Sequence, residues 1–132
     1  MSQKNVEIVG QQFHHWNAGD LDSMMAPYAE DAVLQTDPRF PEGGTFEGRS
    51  AIHQFFEGLR EGWSAVAGVP TDFRVDADRV LVAAEWRGTG ELSGIEAGSD
   101  WSVLFTLLDG WIVGVRFFFD RREALRAAGL AE

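Results

Sequence analysis

The sequence predicts a single α+β domain, with helices first, then a mostly antiparallel curved sheet and one short closing helix. Apolar residues recur at three- and four-residue intervals up to about residue 61, and at every second position from Ser64 onward. Asp109-Gly110, between two alternating stretches, is a strong hairpin signal because the pair accepts the positive φ values of a tight turn. The chain has 132 residues, enough for one domain (1–132) with a core of its own, and no repeat, linker or low-complexity stretch divides it.

The first helix is expected over residues 4–17, where Val6, Val9, Phe13 and Trp16 form one apolar stripe. Gly19 ends it, and Asp20 is placed to cap a second helix carrying Leu21, Met24, Met25 and Tyr28. Pro27 removes a donor and shortens or bends that helix. Ala32 to Thr36 reads as a short strand. Asp37 to Gly48, with two prolines and three glycines, reads as a loop. A third helix from about Arg49 to Glu61 presents Ile52, Phe55, Phe56 and Leu59 on one face. Strands follow near 65–75, 80–90, 99–108 and 111–119, with turns at 76–78, near Gly94 and at 109–110. Asp120 and Glu123 form a capping pattern for a terminal helix that Gly129 stops.

Composition excludes several function classes. With 21 acidic against 11 basic residues, the net charge of −10 repels phosphate backbones and anionic headgroups, so neither nucleic acid nor a membrane is an expected partner. Arg116, Arg121, Arg122 and Arg126 come closest to a basic cluster, and Asp120 and Glu123 interrupt it. The longest apolar runs fall far short of a spanning helix, and the first residues lack the apolar stretch of a signal peptide. The absence of cysteine makes a reducing, cytoplasmic compartment the expectation. The three histidines have no i, i+4 spacing and no H-E-x-x-H pattern exists, so no metal site is indicated. No Gly-rich phosphate loop appears, and no cofactor is expected. His14 and His15 point about 100° apart on a helix and cannot both face one pocket. His14 lies nearer the apolar stripe, which makes it a candidate for the rim of a cavity and otherwise a surface residue.

The stretch Trp16-Asn17-Ala18-Gly19-Asp20-Leu21-Asp22, followed by Tyr28-Ala29-Glu30-Asp31-Ala32-Val33, resembles the opening of SnoaL-like proteins of the nuclear transport factor 2-like superfamily. Asp37-Pro38, Gly48-Arg49, Asp109-Gly110 and the closing Phe119-Asp120 with Glu123-Ala124-Leu125 extend the resemblance over nearly the whole chain. It implies a cone-shaped sheet whose concave face the three N-terminal helices cover, enclosing a cavity. Relatives include ketosteroid isomerase, limonene epoxide hydrolase, polyketide cyclases, scytalone dehydratase and non-catalytic binding proteins. Chemistry on such a scaffold is set by individual side chains.

Side chains alternate along a strand, so one anchor fixes a face. With Trp86 inward, Ala84, Val82 and Val80 follow it, and Leu81, Ala83, Glu85 and Arg87 point outward. The resemblance implies that Trp101, Val103, Phe105 and Leu107 are inward on the next strand, and Val113, Val115, Phe117 and Phe119 on the last. The expected ligand-binding set is therefore Trp16, Val82, Trp86, Trp101, Val103, Phe105, Val115, Phe117 and Phe119, an aromatic-rich wall suited to a flat hydrophobic molecule. The plainer reading is that these residues simply fill a core.

In the ketosteroid isomerase pattern, which combines a base aspartate with tyrosine and aspartic acid donors, the tyrosine position falls on Gln12 and the oxyanion aspartate position on or beside Val103. Glutamine can still donate and valine cannot. The limonene epoxide hydrolase positions fall near Ala84, Trp86 and Phe117, with none of its charged groups retained. Asp37, before Pro38, matches the base aspartate, although an ungapped count from Asp31 puts Thr36 there. Candidate catalytic residues are thus Asp37, Gln12 and His14. Asp37 reads equally as a turn-former whose carboxylate binds nearby amides.

Two functions stand side by side: a cofactor-free acid–base isomerase, dehydratase or cyclase acting on a hydrophobic small molecule, and a non-catalytic protein that binds one. A dimerisation domain with a filled core is the third. A homodimer is expected through the outer sheet face, where Leu81, Ala83, Leu104 and Phe118 would form an apolar patch.

Overall fold

The computed structural model describes residues 2–39, 43–62, 67–87 and 100–129. The elements are α1 (Ser2–Ala18), α2 (Leu21–Met25), β1 (Tyr28–Gln35), β2 (Thr45–Glu47), α3 (Arg49–Gly62), β3 (Ala67–Asp76), β4 (Arg79–Arg87), β5 (Asp100–Leu108), β6 (Trp111–Phe118) and α4 (Arg121–Ala127). The strands form one curved, unclosed sheet in the order β2-β1-β6-β5-β4-β3. Neighbours are antiparallel except β1 and β6, which run parallel. The expected turn near Gly94 and the flanking ends of the predicted strands, 65–66, 88–90 and 99, lie outside the described residues.

α1 forms as its stripe requires. Val9, Phe13 and Trp16 are buried and Val6 is half-buried. Gly19, at φ 76°, ends it in a Schellman motif: Asp20 N donates to His15 O at 2.9 Å and Gly19 N to Trp16 O at 3.0 Å. Arg60 of α3 also donates to Trp16 O at 2.7 Å, with its guanidinium 5.1 Å from the Trp16 ring centroid. Asp20 caps α2 by accepting from Ser23 N at 3.1 Å.

α2 is shorter than the sequence predicts, and Tyr28 is not on it. Pro27 has no N–H to continue the ladder, and its carbonyl instead accepts from Ile112 N at 2.8 Å. That bond feeds the chain into the sheet, so β1 starts at Tyr28 rather than Ala32. The predicted loop 37–48 contains β2, which pairs Thr45, Phe46 and Glu47 with Gln35, Leu34 and Val33. Three residues on a sheet edge are too few to show a period.

The alternation along the central strands sorts two cores onto opposite sheet faces. Val80, Val82, Ala84, Trp101, Val103, Phe105, Leu107, Val115 and Phe117 join the apolar faces of α1, α2 and α3 in the main cluster. On β6 the expected phase breaks. Thr106 pairs with Gly114 but Leu107 with Ile112, so Val113 is an extra residue in a bulge. Ile112 consequently turns into the core, and Val113, expected inward, is only half-buried.

The outer face differs from expectation in its partner. Leu81, Leu104 and Phe118 do point away from the main core, but Ala124 and Leu125 of α4 and its C-cap Ala128 cover them. Burying each large apolar side chain contributes about 1.5–3 kcal/mol, so the patch on which the homodimer was argued is spent within the chain. Ala83 is half-buried. The large apolar side chains exposed among the described residues are Val33, Leu108 and Trp111. Asp120 caps α4 by accepting from Arg122 N at 2.8 Å and Glu123 N at 3.3 Å. Glu123 does not complete a capping box; it pairs with Arg39 at 3.0 Å. Among the described residues no helix is long and apolar enough to cross a membrane.

Candidate functional site

Between the helices and the sheet the main core leaves a cavity of about 40 Å³. Seven of the nine expected ligand-binding residues line it: Trp16, Trp86, Trp101, Val103, Phe105, Val115 and Phe117. Val82 and Phe119 do not. Val82 is fully buried in the core, and Phe119 packs behind the wall with its ring 5.2 Å from that of Trp101. The helical side adds Phe13, Met24, Phe56 and Leu59, and β1 adds Tyr28. All five belong to the apolar helix stripes that the sequence predicts, although Tyr28 lies on β1.

The aromatic rings brace one another at the offset and tilted geometries that π-systems favour. Trp86 lies 4.9 Å from Trp101 and 6.0 Å from Phe13, centroid to centroid, and Trp101 lies 6.2 Å from Phe117. Along β4 the phase anchored on Trp86 agrees with the burial, and along β5 so does the face that the resemblance implies.

Gly68 fixes Trp86 from behind. A Cβ built on Gly68 would fall 2.9 Å from Cζ3 and 3.0 Å from Cη2 of Trp86, closer than such contacts occur. Asn17 holds this glycine in place: its Nδ2 donates to Gly68 O at 2.9 Å and its Oδ1 accepts from Gly68 N at 2.8 Å. Gly68→Ala is expected to push the indole toward the cavity and to cost about 1–3 kcal/mol through overpacking. Thermal melting together with the fluorescence of an apolar probe checks this, since the variant should lose both stability and probe capacity.

The polar groups expected to do chemistry are committed elsewhere. Gln12, buried at 2% exposure, donates from Nε2 to Met24 O at 2.7 Å and accepts from the Tyr28 hydroxyl at 2.9 Å. Burial pushes the Tyr28 phenol pKa up, so Tyr28 stays a neutral donor. His14 is exposed on α1 with its ring 5.4 Å from that of His15, and it does not line the cavity.

Asp37 is the clearest correction. Its side chain is 1% exposed and its carboxylate accepts four hydrogen bonds. Oδ1 takes Arg39 N at 2.9 Å and Arg39 Nε at 2.7 Å, while Oδ2 takes an Arg39 guanidinium nitrogen at 2.7 Å and Phe119 N at 2.9 Å. The Arg39 side chain, then the amides of Phe119 and Arg39, hold its pKa at about 2 despite burial. A base needs a free lone pair and a pKa near the working pH. Asp37 has neither, and the turn-forming reading prevails. Thr36, the alternative base position, is buried too, with Oγ1 accepting from Gly44 N at 2.7 Å across the loop.

Among the described residues no carboxylate or histidine lines the cavity, and no group of three or more His, Asp or Glu could hold a metal. One polar atom stands out: Trp86 Nε1 is buried without a hydrogen-bond partner among the described residues.

Comparison with known proteins places this geometry in context. The family model described as SnoaL-like domain matches residues 9–115. None of the curated proteins matches. Among solved structures, a nuclear transport factor 2-like protein of unknown function from Burkholderia pseudomallei is 21% identical, covering 93% of this chain and 95% of that one, with a TM-score of 0.78. A protein named as a polyketide cyclase from Sinorhizobium meliloti is 26% identical over 84% of this chain and 93% of its own, with a TM-score of 0.69. TerC, co-crystallised with polyporic acid, is 21% identical over 95% and 97% of the two chains, with a TM-score of 0.76.

Proposed function

We propose that this chain, which belongs to the SnoaL-like domain family, binds a flat, hydrophobic small molecule between Trp86, Trp101 and Phe117. The observation that carries this reading is the cavity wall itself, built of interlocked aromatic rings with no charged group among the described residues. Aromatic walls of this kind suit a planar apolar ligand. The co-crystal of TerC with polyporic acid, on the same fold, supports a small organic occupant.

At about 40 Å³ the cavity has room for a water, which needs roughly 10–15 Å³, but not for benzene, which fits a void of about 150 Å³. Binding therefore opens the pocket, and the helical side is the part able to give. Leu59 is half-buried, whereas the β5 and β6 wall is locked in the sheet.

Acid–base chemistry, as in an isomerase or cyclase, is the second reading, favoured by the Sinorhizobium neighbour named as a polyketide cyclase. It requires a base, and Asp37, Gln12 and His14 are each engaged or placed elsewhere. Titration with N-phenylnaphthylamine, a neutral apolar fluorophore, tests the binding reading. Saturable one-to-one enhancement with a blue shift is expected. A signal that rises without saturating would count against it.

A further inference from the structure

We infer that the molecule bound in this cavity carries a hydrogen-bond acceptor, such as a carbonyl or ether oxygen, which Trp86 Nε1 recognises; this rests on the ligand-binding reading above. The starting point is an incomplete hydrogen-bond inventory. Buried donors are nearly always paired, and one left unpaired in an apolar setting bears the full cost of its desolvation. The neighbouring polar groups are satisfied: Tyr28 donates to Gln12, and Gln12 donates to Met24 O. Among the described residues Trp86 Nε1 is the buried side-chain polar atom without a hydrogen-bond partner.

The indole cannot escape this by turning. Its benzo end, at Cζ3 and Cη2, is seated on Gly68, which Asn17 clamps through both backbone groups. Trp101 and Phe13 brace the ring, with centroids 4.9 and 6.0 Å away. In indole the five-membered ring lies at the opposite end from the Cζ3–Cη2 edge. The N–H is therefore carried on the end of the ring away from Gly68, on a residue that lines the cavity.

Water is a poor permanent partner at this place. A buried water typically makes about three hydrogen bonds, whereas the cavity surface among the described residues is apolar and the Tyr28 hydroxyl is already engaged by Gln12. A flat molecule with one acceptor satisfies the donor while its body covers the aromatic wall. A purely hydrocarbon ligand would seal the donor away unpaired. Trp86 thus sets specificity in a pocket whose apolar lining alone does not distinguish a planar hydrocarbon from its oxygenated counterpart.

Fluorene and fluorenone share one tricyclic body, and only fluorenone carries a carbonyl. In 15N-labelled protein, the indole resonance of Trp86 is assigned by its contacts to Trp101 and Phe13 and by its loss in Trp86→Phe. Fluorenone is expected to move that indole proton downfield, beyond any shift from fluorene, and to bind about tenfold tighter than fluorene. In Trp86→Phe the two affinities should agree within about twofold. Equal affinities in the parent, or an unmoved Trp86 indole while both compounds bind, would overturn this inference and leave the apolar cavity standing. Failure of both compounds to bind would overturn the cavity reading as well. The indole shift is read in the parent protein, so poor folding of Trp86→Phe leaves the test intact.

Discussion

Phe117→Asp is expected to be the most damaging single change in the cavity wall. Phe117 is 7% exposed, pairs with Val103 across β5 and β6, and packs its ring 6.1 Å from Phe55 and 6.2 Å from Trp101. Removing a buried phenylalanine ring costs about 3–5 kcal/mol. An unpaired carboxylate in the same place adds desolvation, or raises its own pKa until it is neutral. The sum, on the order of 5 kcal/mol or more, approaches the whole stability of a typical domain. Melting should fall by more than about 15 °C, with apolar-probe binding lost. Phe117→Leu, closer in volume and still apolar, should cost about 1–2 kcal/mol and keep the fold. An Asp variant that melts like the parent would show that Phe117 does not face the core.

The second large effect is acid lability centred on Asp37. Its folded pKa of about 2 lies below the ordinary 3.8, because Arg39 and the Phe119 and Arg39 amides favour the carboxylate. A depressed folded pKa contributes stability that is fully present above the unfolded value and is lost as pH falls through about 4 to about 2. The shift corresponds to about 2 kcal/mol at neutral pH. Asp37→Asn should lose about that amount at pH 7 and show a flatter stability profile across the acid window. Asp37→Ala should cost more, about 2–4 kcal/mol, because the Phe119 amide is left without its acceptor. Urea unfolding at pH 7 and pH 3, with carboxyl NMR of Asp37, measures both. Titration of Asp37 at or above about 3.9 would contradict the bonding described.

These two residues also show how far the sequence could be read. Phe117 was legible because a strand has a rigid period of two and the resemblance implied the inward face of β6, as the Trp86 anchor did along β4. The same logic failed at Val113, since a bulge inserts one residue and leaves no mark in the apolar pattern. Of the predicted outer patch, Leu81, Leu104 and Phe118 join the second core, whereas Ala83 is only half-buried and does not. The cover of the patch was missed because nothing local in the terminal helix says which surface it docks on. Asp37 was recognised as special through Asp-Pro, but its role depended on Arg39 and on the Phe119 amide 82 positions away. Gln12 was likewise placed at a meaningful position, while its engagement with Tyr28 and Met24 is tertiary. Tyr28 is expected on the second helix and lies on β1 instead, because a helical stripe and a strand start both suit an aromatic beside Pro27.

The central claim is that the ring-lined cavity between Trp86, Trp101 and Phe117 opens to hold a flat apolar molecule. A crystal structure of the protein with N-phenylnaphthylamine bound tests it most directly. The account predicts the probe stacked against these three rings, with Leu59 and Phe56 displaced outward and the β5–β6 wall unmoved. A probe found on the outer surface, with the cavity unchanged at about 40 Å³, would contradict it.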